Sequence, residues 1–382
     1  ASLLLFGSVL MAQSPANRTA KTIAADVLAQ MPAEKQAEYN KMINDLKGSG
    51  EEGVLMLVNM INAPGKGSNA QVDYALSGLT HYVMAKGEES ARLATANAYL
   101  KALDLVTERE TKAFIIRQLQ ILGQDECIDA LSAYLGDESL SGPASRALAA
   151  IGSENAGKAL KAGLMRRMGT PKTQKDIIVA IGEAQVADSE ELLKALLGSG
   201  DESMQKAVLH SLSRVGSKAS IKDMAEAAAA SGYTMTKTNA NEAYIALLKR
   251  VAAQGDVKEV EKAANDLLKK ATKANQTQTR DAALQILLSL KKENSTKLLL
   301  SALKDGNKEY RNAALNFASD FANKEVYIEV MKAMQKAKPE VKVDIINWIG
   351  REAKCPSKHD VIKSLELRFD LTAMQVLLAQ LK

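Results

Sequence analysis

The stretch from Thr170 to Gly216 reads as two helices, a tight turn and the start of the same unit again, and a chain built from such a unit has few ways to fold. Thr170 precedes Pro171, whose ring presets the backbone of a first helical position. Ile177, Ile178 and Ile181 then fall on one face before Gly182, which is expected to close the helix. Asp188 is placed to cap the next helix, with Glu191 at capping-box spacing; Leu192, Leu193, Leu196 and Leu197 form its apolar stripe and Gly198 ends it. Neither helix can bury its apolar face alone. Stacking successive pairs buries both, so the recurrence predicts an all-α fold, a right-handed α-solenoid of about nine helix pairs spanning roughly 90 Å.

The glycines give the period: Gly123, Gly152, Gly182 and Gly216 are 29, 30 and 34 residues apart, each after an apolar helix end. A left-handed exit from the helix would account for glycine at these positions. Earlier helices are expected at Thr19–Gln30, Ala33–Leu46, Glu51–Ile61, Val72–Ala85, Ala91–Leu105 and Thr111–Leu122. Glu126–Leu135, Pro143–Ile151, Asn155–Met168 and Glu202–Val215 continue the series. Two segments break it. Asn62–Asn69 is rich in Asn, Gly and Pro, and after Ile221 the rhythm loosens: Ala225–Gly232 is poor in large apolar residues and Tyr233–Asn241 is polar. Helices resume at Glu242–Ala253, Val257–Ala274, Thr277–Leu290, Ser295–Lys304, Glu309–Phe321, Lys324–Lys336 and Val341–Ile349, the last ending at Gly350. Lys358–Lys382 is apolar without a polar capping helix, which predicts a chain that continues past Lys382.

With 46% hydrophobic residues, only 4% aromatics and abundant Ala, Leu, Lys and Glu, the 382 residues favour helix throughout. The apolar run Leu3–Met11 reads as part of a secretory signal. Residues 1–12 are therefore assigned to a partial signal peptide and 13–382 to the solenoid, with an exported, periplasmic or extracellular setting. The run is too short to span a bilayer. Cys127 and Cys355 lie several repeats apart, beyond the roughly 7 Å reach of a disulfide, and are read as separate thiols. The net charge of +5 is small for this length. It is concentrated in Lys249–Lys308, which holds 13 Lys or Arg against 7 Asp or Glu and no aromatic side chain between its ends. This is either a solvated face or, as the alternative function, a polyanion or nucleic-acid surface.

No compact set of nucleophile, base or metal ligands is visible, so neither a catalytic residue nor a cofactor is assigned. His81, His210 and His359 sit in three distant repeats; Glu51–Glu52, Glu88–Glu89 and Glu190–Glu191 fall at helix starts, where carboxylates favour the helix dipole. Gly65-Lys66-Gly67-Ser68 lacks the upstream strand and glycine of a phosphate loop and reads as an inter-repeat loop. Trp348 and Phe317 fall in apolar stripes and are assigned to the core. For partner contact the residues are Tyr233, Met235 and Lys237 in the second break, with Lys66 in the first; Tyr233 folded back onto neighbouring helices is the competing reading.

The apolar pair plus glycine of Ala150-Ile151-Gly152 and Ala180-Ile181-Gly182, with the Leu-Leu spacing of the partner helix, resembles HEAT repeats. More narrowly, Thr22–Pro32, Asn62–Asn69 and Tyr74–Leu79 resemble the amino-terminal HEAT region of exported proteins of Gram-negative gut bacteria. In that group the repeats precede a β-sandwich domain of the 3-keto-disaccharide hydrolase type. The resemblance implies a non-catalytic scaffold in a carbohydrate-related setting. Its partner would be a protein, a glycan or the protein's own carboxy-terminal domain, with no nucleic acid.

Overall fold

The computed structural model describes residues 18–290 and 295–352, all helix and connecting turn, with no strand among the described residues. The expected signal segment, the Lys358–Lys382 piece, His359 and Cys355 lie outside the described residues. The chain divides into two compact units at Ser189/Glu190.

The first unit holds α1 (Ala20–Gln30), α2 (Gln36–Gly48), α3 (Gly50–Asn59), α4 (Ala70–Tyr82) and α5 (Glu89–Leu105). It continues with α6 (Arg109–Leu122), α7 (Ile128–Ser132), α8 (Ser141–Ile151), α9 (Glu154–Met165) and α10 (Pro171–Glu183). The even helices α2 to α10 pack each on the next as one layer, and α1, α3 and α5 stack in the other, as do α7 and α9. Apolar stripes at helical spacing explain the arrangement. Ile115, Ile116, Leu119 and Leu122 of α6 are fully enclosed, as are Leu76 and Leu79 of α4. Where the layers meet, the Tyr99 hydroxyl of α5 donates to the Leu76 carbonyl (3.1 Å) and shares a hydrogen bond with Thr80, so a buried polar tip is satisfied.

The second unit holds α11 (Glu190–Lys194), α12 (Glu202–Val215), α13 (Ile221–Ala230), α14 (Ala240–Ala253) and α15 (Val257–Lys273). It ends with α16 (Thr277–Leu290), α17 (Ser295–Ala302), α18 (Lys308–Ala318), α19 (Lys324–Gln335) and α20 (Pro339–Arg351). Again the even helices stack in sequence, α12 on α14 through to α20. Helix starts follow side-chain capping: Asp201 accepts from Met204 N–H, Asn307 from Tyr310 N–H and Asn323 from Val326 N–H. Trp348 lies in the core as expected, and Phe317 packs against it half-buried.

Several expected boundaries are corrected. Gly182 does not close α10; it is buried inside the helix, and the left-handed residue is Gln185 (φ 49°), where Val186 N–H reaches back to the Ile181 carbonyl. Asp188 is itself left-handed (φ 54°) and stands two residues ahead of α11, outside capping position. That helix is short, and of its expected leucine stripe only Leu193 is fully buried. Gly350 lies within α20 rather than after it. The second helix, expected from Ala33, begins at Gln36. His81 occupies the last turn of α4. The alanine run after Ile221, expected as a loss of rhythm, is the helix α13.

The glycine period has no single physical cause. Gly152 is left-handed (φ 65°), but Gly123 and Gly216 are not. At those two a β-carbon would sit 2.5 Å from the Leu119 carbonyl oxygen and 2.6 Å from that of Leu212, so close backbone approach excludes a side chain. Gly48, by contrast, ends α2 with open space around its missing side chain. Gly48→Ala is therefore expected to raise stability by about 0.5–1 kcal/mol, and Gly123→Ala to lower it by more than that. Urea midpoints of the two variants that shift in the same direction would contradict this assignment.

Candidate functional site

The break after α13 is built by main chain as much as by side chains. Gly232 (φ 67°) and Tyr233 (φ 60°) both turn left-handed, and Tyr233 N–H closes the end of α13 on the Ala228 carbonyl at 3.0 Å. The Tyr233 carbonyl accepts from Thr279 Oγ1 of α16 (2.7 Å), and that same oxygen accepts from Asn241 Nδ2 of α14 (2.8 Å). Asn241 and Thr279 are buried, so the loop base is tied to two helices by a water-excluded relay. Beyond this base Met235 is 74% exposed, and Lys237 is exposed in a 3.5 Å ion pair with Glu202. A pair this open adds little to stability.

The short side chains of α13 leave space on both sides of it. Toward α11 and α12, Ala227 and Ala230 line a groove of about 670 Å³ whose other walls carry Leu197, Leu209, Glu202 and Thr236. Toward α15, Ala225 and Ala229 line a groove of about 520 Å³ with Tyr233 and Tyr244 beside Lys262 and Lys270. Burial, and then Asp266, push the Tyr244 hydroxyl up to about 12, so it stays protonated in the groove. A leucine in place of these alanines would span toward the neighbouring helix; alanine cannot.

Of the residues singled out for contact, Tyr233, Met235 and Lys237 stand together at this break, Tyr233 half-buried along one groove and Met235 and Lys237 outward. Lys66 belongs to the other unit. It is exposed in a loop whose ends are stapled: Asn62 N–H donates to Asn69 Oδ1 (2.7 Å) and Asn69 Nδ2 returns to the Asn62 carbonyl (2.9 Å). Of the basic stretch Lys249–Lys308, Arg250 and Arg280 turn inward, to the Ser213 carbonyl (2.9 Å) and to Asp305 (2.6 Å). Lys249 reaches Gln285 (2.7 Å) at the edge of a groove of about 910 Å³ lined by Phe317 and Phe321.

The paired acids fall in or beside first turns as expected, and three also bridge helices. Glu51 pairs with Lys101, Glu88 with Lys47, and Glu190 accepts from Ser217 and Ser220. Burial pushes the Cys127 thiol up to about 12, with the charge of Glu126 adding to it. Among the described residues no three His, Cys, Asp or Glu side chains gather into a metal-binding group, and no helix is long and apolar enough to cross a membrane. The grooves beside α13 were not legible as such. Nor was the buried polar ladder Arg280, Arg311 and Asp344, although Arg280-Asp281-Ala282-Ala283-Leu284 and Arg311-Asn312-Ala313-Ala314-Leu315 repeat one pattern at equal register.

No family model matches the chain, and no curated protein does. Among solved structures, the crystal structure of an engineered protein is 17% identical over 94% of this chain and 98% of that one, with a TM-score of 0.29. A likeness of that degree carries no argument here.

Proposed function

We propose that the protein is a helical-repeat interaction scaffold which takes a partner segment at the break after α13. The observation that supports this most directly is the conjunction there of two grooves left by alanines with an outward Met235 on a firmly anchored loop base. An exposed apolar side chain beside concave, partly apolar surface is the form of a contact centre, and a rigid base lowers the ordering cost of binding. The stacked pairs of each unit are compatible with HEAT-like repeats wound right-handed. The exported setting rests on the signal-like run Leu3–Met11, and the carbohydrate-related setting and an attached hydrolase-type domain rest on the sequence resemblance.

Filling one groove with Ala230→Trp, or charging the loop with Met235→Asp, is expected to weaken partner binding by about 1–2 kcal/mol, a loss of roughly 5- to 30-fold. Affinity isolation from the native host would compare these variants with wild type and with Lys66→Ala. Proteins held by wild type and Lys66→Ala but lost from both groove variants, at unchanged circular dichroism, support the reading. Equal retention by all four would sink it.

A further inference from the structure

We propose that the joint between α16 and α18 is a pH-sensitive clasp, tightened when Asp281 takes up a proton. The amino-terminal part of α16 carries Arg280 and Asp281, and Arg280 meets the approach to α18, where Asp305, Glu309 and Tyr310 stand. The Arg280 guanidinium lies 4.0 Å from the Tyr310 ring centroid and donates through Nη2 to Asp305 Oδ2 at 2.6 Å. That leaves two atoms unserved. Arg280 Nε and Asp281 Oδ1 are both buried without a hydrogen-bond partner. Consecutive residues on a helix point about 100° apart, so the one cation that holds Asp305 cannot also hold Asp281.

The surroundings favour a neutral Asp281. Burial pushes its carboxyl up to about 6; Arg280 of its own helix opposes this, and Glu309 of α18 adds to it. No charged group of α15 or α17 contributes, while Glu242, at the start of the adjacent α14, has its own buried Oε2 without a partner. Asp305 is different: although burial works against its charge, the Asn307 N–H, Arg280 and Arg311 hold it below the ordinary carboxylate range. With Asp281, Asp305 and Glu309 all ionised, three negative charges share Arg280, whose guanidinium is already given to Asp305, while Arg311 pairs with Asp344. A proton on Asp281 removes one of them and lowers the cost of holding its Oδ1 buried without a donor.

The sign follows from linkage. An aspartate whose folded value lies above its unfolded one binds a proton preferentially in the folded state, so this joint gains stability as pH falls through about 6. It also has a consequence at a distance along the same two helices. Their carboxy-terminal halves line the large groove through Gln285, Ser289 and Phe317, so a tighter clasp at one end constrains the groove at the other.

A carboxylate-carbon NMR titration of the full chain tests the clasp. One aspartate resonance, absent from Asp281→Asn and restored as a glutamate resonance by Asp281→Glu, is expected to titrate with a midpoint near pH 6. The urea midpoint read by Trp348 is expected to rise more for wild type than for Asp281→Asn between about pH 7.5 and about pH 5.5. A titration midpoint below about 4.5, the range of an ordinary aspartate, overturns the proposal. So does an equal pH response of the two proteins.

Discussion

Asp344→Ala is expected to lower the stability of the second unit by about 3–5 kcal/mol, the range for removing one partner of a buried ion pair. Arg311 and Asp344 are 3% and 2% exposed, and both Nε (2.8 Å) and Nη2 (2.7 Å) of the arginine meet the same carboxylate oxygen. The cost comes from what remains. Arg311 cannot lose its proton, so it would stay as an uncompensated charge between α18 and α20. The pair itself need not be worth that much. In Arg311→Met/Asp344→Leu the charge is gone, and most of the loss should be recovered. Recovery will be incomplete, because Arg311 Nη1 also satisfies the Asp305 (2.9 Å) and Gly306 (3.1 Å) carbonyls. Trp348, the only tryptophan, lies one helical turn from Asp344, so its fluorescence during urea unfolding reports this unit directly. A single mutant within 1 kcal/mol of wild type, against the ~3–5 expected, would mean that water reaches the pair.

The elements legible in the sequence were those whose local and tertiary demands agree. Glu202–Val215 and Thr277–Leu290 were placed to the residue, because apolar spacing marks both helices and the Asp201 cap fixes the start of the first. Where one residue type serves two purposes the reading slipped. Glycine after an apolar pair means a left-handed exit at Gly152, a carbonyl pressed against Cα at Gly123 and Gly216, and a small buried helix position at Gly182. A run of alanines signals helix by propensity but shows no apolar stripe, so α13 looked like a loss of order although it remains helical on a small buried face of Met224 and Ala228. The contact residues Tyr233, Met235 and Lys237 were visible as odd side chains in a polar stretch. The grooves beside them were not, because a groove is set by the distance between helices that are neighbours in space, and no local pattern encodes it. The Arg280 and Asp281 environments share that limit: a charged pair near a helix start reads as surface until the next helix covers it.

Trp348→Ala is the second large loss, at about 3–5 kcal/mol for removing a fully buried tryptophan whose site cannot collapse. The ring is 1% exposed and stacks on Tyr327 with centroids 5.2 Å apart and planes inclined by 24°. Its Nε1–H donates to Ser319 Oγ at 3.0 Å; Ser319 in turn donates to Glu352 Oε1 (2.5 Å), and the Tyr327 hydroxyl to Glu352 Oε2 (3.2 Å). Two effects are thus joined in one side chain, volume and a polar chain that closes the end of α20 against α18 and α19. Trp348→Phe separates them. Phenylalanine keeps a ring for Tyr327 to stack on but leaves Ser319 Oγ without its donor, so the expected cost is about 1–2 kcal/mol, well below that of alanine. Neither variant retains tryptophan, so both are followed by far-ultraviolet circular dichroism. Adding Ser319→Ala to Trp348→Phe should then cost little more, since the hydroxyl has already lost one partner. Equal losses for phenylalanine and alanine would show that the hydrogen-bonded chain through Ser319 and Glu352, rather than the filled volume, holds α20 in place.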